Sequence, residues 1–156
     1  KRQHHEVKQE NLSEIVDRAL VSFRRSSLSS GIDVEVKAPG KADALADALE
    51  LELLIVNLLK NAAAASKDSR EKLISVQLSE EANEWLLSVS DHGQVISDKL
   101  LSRLSHPAKS FSDGLGLGLS ICRLIAENHG VKLTFKPNNS KGLIVTLHLP
   151  KANKEI

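Results

Sequence analysis

Three groups of residues in this chain have the types and spacing to do chemistry. Asn57 and Asn61 stand four apart in a strongly apolar run, so a helix places both on one face. Asparagine is a poor helix former and costly to bury without a partner. Either the pair is satisfied by neighbouring backbone, or it is a polar strip facing a ligand, where an amide oxygen can hold Mg²⁺, a hard cation. Asp91-His92-Gly93 follows an alternating stretch. An acid and a glycine at a strand end can read a ligand's donor group, and the same residues also make an ordinary turn. Ser112-Asp113-Gly114-Leu115-Gly116-Leu117-Gly118-Leu119-Ser120 alternates glycine with leucine and runs into a helical pattern. Glycines permit close approach to the main chain, and unpartnered N–H groups at a helix start suit phosphate. The plainer alternative is a glycine-softened turn before a helix.

The elements that must position these residues follow from periodicity. Leu12, Ile15, Val16, Ala19, Leu20 and Phe23 have helical spacing, with Asn11 or Ser13 as cap. Ile32–Val36 alternates as a strand, and Pro39-Gly40 turns the chain. Asp47 caps a helix running to about Ser66, apolar nearly all round and so expected to be buried. Leu73–Ser79 and Trp85–Ser90 read as an antiparallel hairpin. Ser97–Leu104 reads as a short helix, and His106–Asp113 as a polar loop. The helix through Leu117, Ile121, Leu124, Ile125 and Asn128 ends at His129-Gly130, with Gly130 as a left-handed cap. Val131–Phe135 and Leu143–Leu149 form two last strands joined by Pro137–Gly142. This order predicts an α+β fold: a two-layer sandwich of a mixed, mostly antiparallel sheet with helices on one face.

The chain has 156 residues, enough for one domain with a sizeable core. A formal net charge of +1 and scarce aromatics leave no basic or stacking footprint for nucleic acid. The single cysteine, Cys122, excludes an internal disulfide and reads as a small buried apolar side chain. No apolar run is long enough to span a bilayer, and a soluble reducing compartment is the expectation. With no methionine and a start at Lys1, the chain reads as a piece of a longer protein. Residues 1–10, with His4 and His5, are expected to fray or continue an upstream helix, and 151–156 form a polar tail. His92 and His106 lack metal-ligand spacing and are taken as surface residues.

Taken in order from about Asn11 to Pro150, these segments resemble the catalytic, ATP-binding domain of bacterial sensor histidine kinases. That domain sits in a wider ATPase group with gyrase, the heat-shock chaperone ATPases and the mismatch-repair ATPases. The resemblance rests on four features: Asp47 through Asn57-Leu58-Leu59-Lys60-Asn61-Ala62; Val89-Ser90-Asp91-His92-Gly93; Asp113 through Ile121; and Glu127-Asn128-His129-Gly130 with Gly142 and Leu147-His148-Leu149-Pro150. It implies a Bergerat-type fold over residues 11–150, ATP and Mg²⁺ as cofactors, and a lid at about 94–112. Asn61 is implied as the Mg²⁺ ligand and Asp91 as acceptor from the exocyclic amine of adenine. Gly93 would let the backbone pass the base, and Gly114, Leu115, Gly116, Leu117, Gly118 and Leu119 would wrap the phosphates. Asn57, placed in the catalytic and nucleotide-binding set, stands where the hydrolytic relatives carry a glutamate, and an amide cannot serve as general base.

The implied activity is therefore transfer of the γ-phosphate to a histidine on a separate dimerisation domain of the same protein, then relay to a response regulator. The piece is expected to be cytoplasmic, to touch neither nucleic acid nor membrane, and to be inactive as an autokinase without that domain. Two alternatives share the fold: a degenerate nucleotide-binding regulatory module, and an anti-sigma-type protein-serine kinase. The chain departs from the family pattern at Val95, where a second glycine is usual, and at Ala64 and Ala65, where a basic and an aromatic residue often stand. Leu143 replaces a frequent threonine, and His106-Pro107 and Phe111 replace a Phe-rich lid. Phosphate charge is then left to Lys109 or Arg103.

Overall fold

A computed structural model describes residues 6–105, 116–139 and 141–152. In chain order the elements are β1 (Lys8–Asn11), α1 (Leu12–Arg24), a 3₁₀ turn (Ser27–Ser29), β2 (Asp33–Lys37), β3 (Asp43–Ala46), α2 (Ala48–Ala65), β4 (Leu73–Glu80), β5 (Glu84–Ser90), α3 (Asp98–Ser105), α4 (Gly116–His129), β6 (Lys132–Pro137) and β7 (Leu143–Pro150). Five strands form one sheet in the order β2-β4-β5-β7-β6. β2 runs parallel to β4, and the other pairs are antiparallel. The pairings Val76↔Val89, Leu78↔Leu87 and Leu87↔Leu147 bring apolar residues to one face, where they are buried. Ser75, Ser88, Thr134 and Thr146 occupy the other face and remain partly wet, the alternation of a sheet covered on one side. α1 packs on α2 and α2 on α4, so the expected α+β two-layer sandwich is the observed fold. Among the described residues no helix is long and apolar enough to cross a membrane.

Two expectations are corrected. Residues 8–11 form a strand rather than the tail of an upstream helix, pairing Lys8↔Ala46 through Asn11↔Asp43 with β3. Neither strand announces itself: each has four residues, and the inward side chains of β3 are the methyl groups of Ala44 and Ala46. α2 is not buried all round, since Leu49 is 78% and Leu53 53% exposed. A helix on a two-layer sandwich has no third layer over its outer face, and leucine stays there at no cost to helix propensity. Within residues 94–105, the first part of the stretch read as a lid, Leu104 is fully buried and Ile96 and Leu100 pack on the core. Arg123 of α4 donates to the Leu104 carbonyl, and its guanidinium lies 5.5 Å from the Phe135 ring centre.

The caps fall where the sequence placed them. Asn11 Oδ1 accepts from Ser13 N at 3.1 Å, and Gly130 takes φ +79° after α4. Cys122 is fully buried, and burial pushes its thiol up to about 12, so it is a packing group without thiolate character. Asp47 does more than cap α2. Its carboxylate accepts from Glu50 N at 3.1 Å and from Glu6 N at 2.8 Å, and its own N–H donates to His129 Nε2 at 2.9 Å. Burial works to raise this carboxyl, but the N–H groups of Glu50, Glu6 and Leu49 outweigh it and hold the carboxyl below 3.8. A depressed carboxyl contributes stability above its ordinary value and loses it as pH falls through the folded one. Asp47→Ala is expected to cost about 1–2 kcal/mol at neutral pH. The deficit against the parent should shrink in acid below 3.8, which urea titrations at a series of pH values would read.

Candidate functional site

Asn57 and Asn61 share a face of α2 but differ in what they touch. Asn57 Nδ2 donates to the Leu53 carbonyl at 2.9 Å, turning the amide back on its own helix. Asn61 is half-buried and makes no side-chain hydrogen bond among the described residues. It lines a cleft of about 270 Å³, together with Ala64 and Ala65 of α2 and with Asp68, Ser69, Gly93 and Gln94. An amide in a concavity with both ends open has an oxygen to offer a hard cation, so the donor present fits Mg²⁺.

Asp91 follows β5 directly. Its N–H donates to the Leu143 carbonyl at 3.1 Å, extending the β5–β7 ladder by one residue. The residue is only 4% exposed, and its Oδ1 accepts from Gly93 N at 2.8 Å. Burial raises the Asp91 carboxyl above 3.8, opposed by the N–H groups of Gly93 and Leu143 and by the charge of His92. An ionised carboxylate only accepts, and is a strong acceptor for a neutral N–H.

The stretch that follows Asp91 is held from three sides. Asn138 Nδ2 donates to the Asp91 carbonyl at 2.7 Å, Ser69 Oγ donates to the His92 carbonyl at 2.8 Å, and Gly142 N donates to the Gln94 carbonyl at 2.7 Å. Gly93 abuts the end of α2, where an added Cβ would lie 2.5 Å from the Ala65 carbonyl oxygen. Gly93 thus makes a close approach to protein backbone while also lining the cleft. Gly142 is tighter still: its φ is +108°, and an added Cβ would stand 1.9 Å from the Asp91 carbonyl oxygen.

The other expected site residues divide. Gly116, Leu117 and Gly118 form the first turn of α4, so a helix does start inside the glycine run. Leu119 is fully buried. Lys109, Gly114 and Leu115 lie outside the described residues, as do His106 and Phe111. Arg103 sits on α3 and does not line the cleft. The charged residue among those lining the cleft is Asp68, an acid. His92 is part-buried, with Nδ1 3.8 Å from Glu71 Oε1. Ser69 and Asn138 were missed by the sequence reading. Asn138 registered only as turn chemistry after Pro137, and Ser69 carried no signal, because both act on main chain remote in sequence.

Asp91 itself does not line the cleft and reaches it through its bond to Gly93. The two-layer sandwich, with an amide-bearing helix and Gly93 lining one cleft, defines a domain of the Bergerat type. The chain belongs to the family described as Histidine kinase-, DNA gyrase B-, and HSP90-like ATPase, whose pattern matches residues 46–153. It is 29% identical to the Adaptive-response sensory kinase SasA of Prochlorococcus marinus, over 94% of this chain and 41% of that protein. It is 32% identical to the C4-dicarboxylate transport sensor protein DctB of Rhizobium meliloti, over 90% of this chain and 23% of that protein. The chain therefore spans less than half the length of these curated relatives. Among solved structures it resembles the nucleotide-free catalytic domain of histidine kinase ThkA, with TM-score 0.75, 26% identity, and 94% of this chain and 96% of that one covered.

Proposed function

We propose that this chain is the catalytic part of a sensor histidine kinase, over about residues 11–150. It binds Mg·ATP in the cleft between α2 and Asp91–Gln94 and gives the γ-phosphate to a histidine on a separate dimerisation domain of the same protein, for relay to a response regulator. The observation that carries this reading is the Asn61 amide, with no side-chain partner among the described residues, lining one cleft with Gly93, to which the buried Asp91 carboxylate is hydrogen-bonded. Asn61 would hold Mg²⁺, which supplies charge neutralisation at the phosphates. Asp91 would accept from the adenine amine. Asn57, an amide with its N–H₂ on its own helix, cannot take a proton from water, which leaves the phosphoryl group for a nitrogen nucleophile. Phosphoryl transfer on these terms is positioning and charge stabilisation.

Calorimetry with ATP, ADP and GTP, with and without Mg²⁺, tests the reading. Mg²⁺-dependent binding selective for adenine is expected, with no label on the isolated chain and label on an added acceptor domain. A second reading, a regulatory module that holds nucleotide weakly, has one observation in its favour: the cleft wall carries Ala64, Ala65 and Asp68 and no described cation.

Asp91→Asn is expected to lower the preference for ATP over GTP by about tenfold or more, because a donor then faces the adenine amine. A loss equal for all nucleotides would count against Asp91 as the base reader. In the parent, ATP affinity should fall in acid from a pH above 3.8, since burial raises this carboxyl. The stability linkage has the opposite sense. A raised carboxyl favours the fold at low pH, and that contribution is lost as pH rises through the folded value.

A further inference from the structure

The loop joining α2 to β4 gathers three main-chain carbonyls around one ammonium. Lys72 Nζ donates to the carbonyls of Lys67 at 2.8 Å, Ser69 at 2.9 Å and Ser66 at 3.5 Å. An ammonium has three N–H donors, and here they meet three acceptors. α2 closes on Ser66 with no basic residue in its last turn. The ammonium therefore sits just past the C-terminus of α2, on the carbonyls of the cap residue Ser66 and of the loop that follows, where a cation suits the negative end of the helix dipole. The main chain of Lys72 is fixed separately, its carbonyl accepting from Asp33 N at 2.9 Å at the start of β2. The residue as a whole is solvent-exposed.

The same loop is a wall of the cleft. Asp68 and Ser69 line it, and Ser69 Oγ bonds the His92 carbonyl at 2.8 Å. Ser66, fully buried, anchors the other end of the loop through its Oγ on the Ala62 carbonyl at 2.8 Å. Ser69 thus joins the two: its carbonyl accepts from the Lys72 ammonium, and its Oγ donates to the carbonyl of His92, next to Asp91.

We propose that Lys72 is a positioning residue for nucleotide binding: a tethered monovalent cation in the carbonyl nest of Ser66, Lys67 and Ser69 that sets the α2–β4 wall and, through Ser69, the place of Asp91–Gly93. This rests on the nucleotide-binding reading above. A free cation that fits the nest replaces the ammonium once the side chain is removed.

Lys72→Ala tests the proposal by rescue. Nucleotide affinity and melting temperature are measured for the parent and the variant in ammonium, potassium or tetramethylammonium chloride at equal ionic strength. The variant is expected to bind ATP about tenfold more weakly in tetramethylammonium, which is bulky and lacks N–H donors, and to recover in ammonium or potassium. The parent should be indifferent to the salt. Parent-like affinity of the variant in tetramethylammonium overturns the proposal, as does a loss that neither small cation restores. If the parent itself binds no nucleotide, the nucleotide-binding reading fails and this one with it. The nest is still judged by the variant's melting temperature, which must rise in ammonium and potassium over tetramethylammonium. If the variant does not fold in tetramethylammonium, folding becomes the readout: recovery with the small cations supports the nest, and none overturns it.

Discussion

Replacing Gly142 by alanine is expected to destabilise the protein by on the order of 4 kcal/mol and to abolish binding in the cleft. Two independent costs combine at this position. The residue has φ +108°, a region that side-chain-bearing residues rarely adopt, and its new Cβ would stand 1.9 Å from the Asp91 carbonyl oxygen and 3.0 Å from the His92 Cα. The obstacle is backbone and cannot swing aside. The Asp91 carbonyl is bonded to Asn138, and the Asp91 N–H to Leu143. Relief requires parting the β6–β7 turn from the end of β5, which moves Asp91 itself. Gly40→Ala is the control: nothing lies within 4 Å of its added Cβ, and a change within about 0.5 kcal/mol is expected. Urea unfolding followed by fluorescence of Trp85, the single tryptophan and a buried one, separates the two. A Gly142→Ala protein as stable as the parent would mean that the turn is not wedged against Asp91.

Asn61→Ala is expected to do the reverse, sparing the fold and damaging the ligand. The side chain has no hydrogen-bond partner among the described residues, so its loss orphans nothing in the protein. Alanine is the better helix former by up to about 0.7 kcal/mol, so the melting temperature should hold or rise. Affinity for ATP in Mg²⁺ should fall by at least about tenfold, with little change when Mg²⁺ is chelated. Asn57→Ala separates the two asparagines: it deletes the bond to the Leu53 carbonyl, a solvent-exposed contact of small worth. Calorimetry of both variants with and without Mg²⁺ reads the difference. An Asn61→Ala loss of the same size in chelator would remove the metal role from this residue.

The parts of the fold that could be read from the chain are those whose signal is local. The alternation in Leu73–Ser79 and Trp85–Ser90 became β4 and β5, and Asn11 and Asp47 cap the helices they precede. Where the signal was short or chemically quiet it could not be read. β1 and β3 are four residues each, and two alanine methyls carry the inward face of β3. The run of leucines in α2 overstated its burial, because composition reports what a helix can bury and not how many layers surround it.

For the site, the chain by itself determined which groups are available: an amide pair one turn apart, an acid at a strand end, a glycine run entering a helix. Periods of 3.6 and 2 are properties of neighbouring residues, so they survive without knowledge of the rest. Tertiary structure alone decided which amide stays open, since Asn57 turns to Leu53 while Asn61 faces the cleft. It also decided that Gly93 and Gly142 are glycine because Ala65 and Asp91 press against them. Those contacts cross tens of residues of sequence and depend on the register of β5 against β7. That register is set by burial of one whole face of the sheet, which no single segment of the chain encodes.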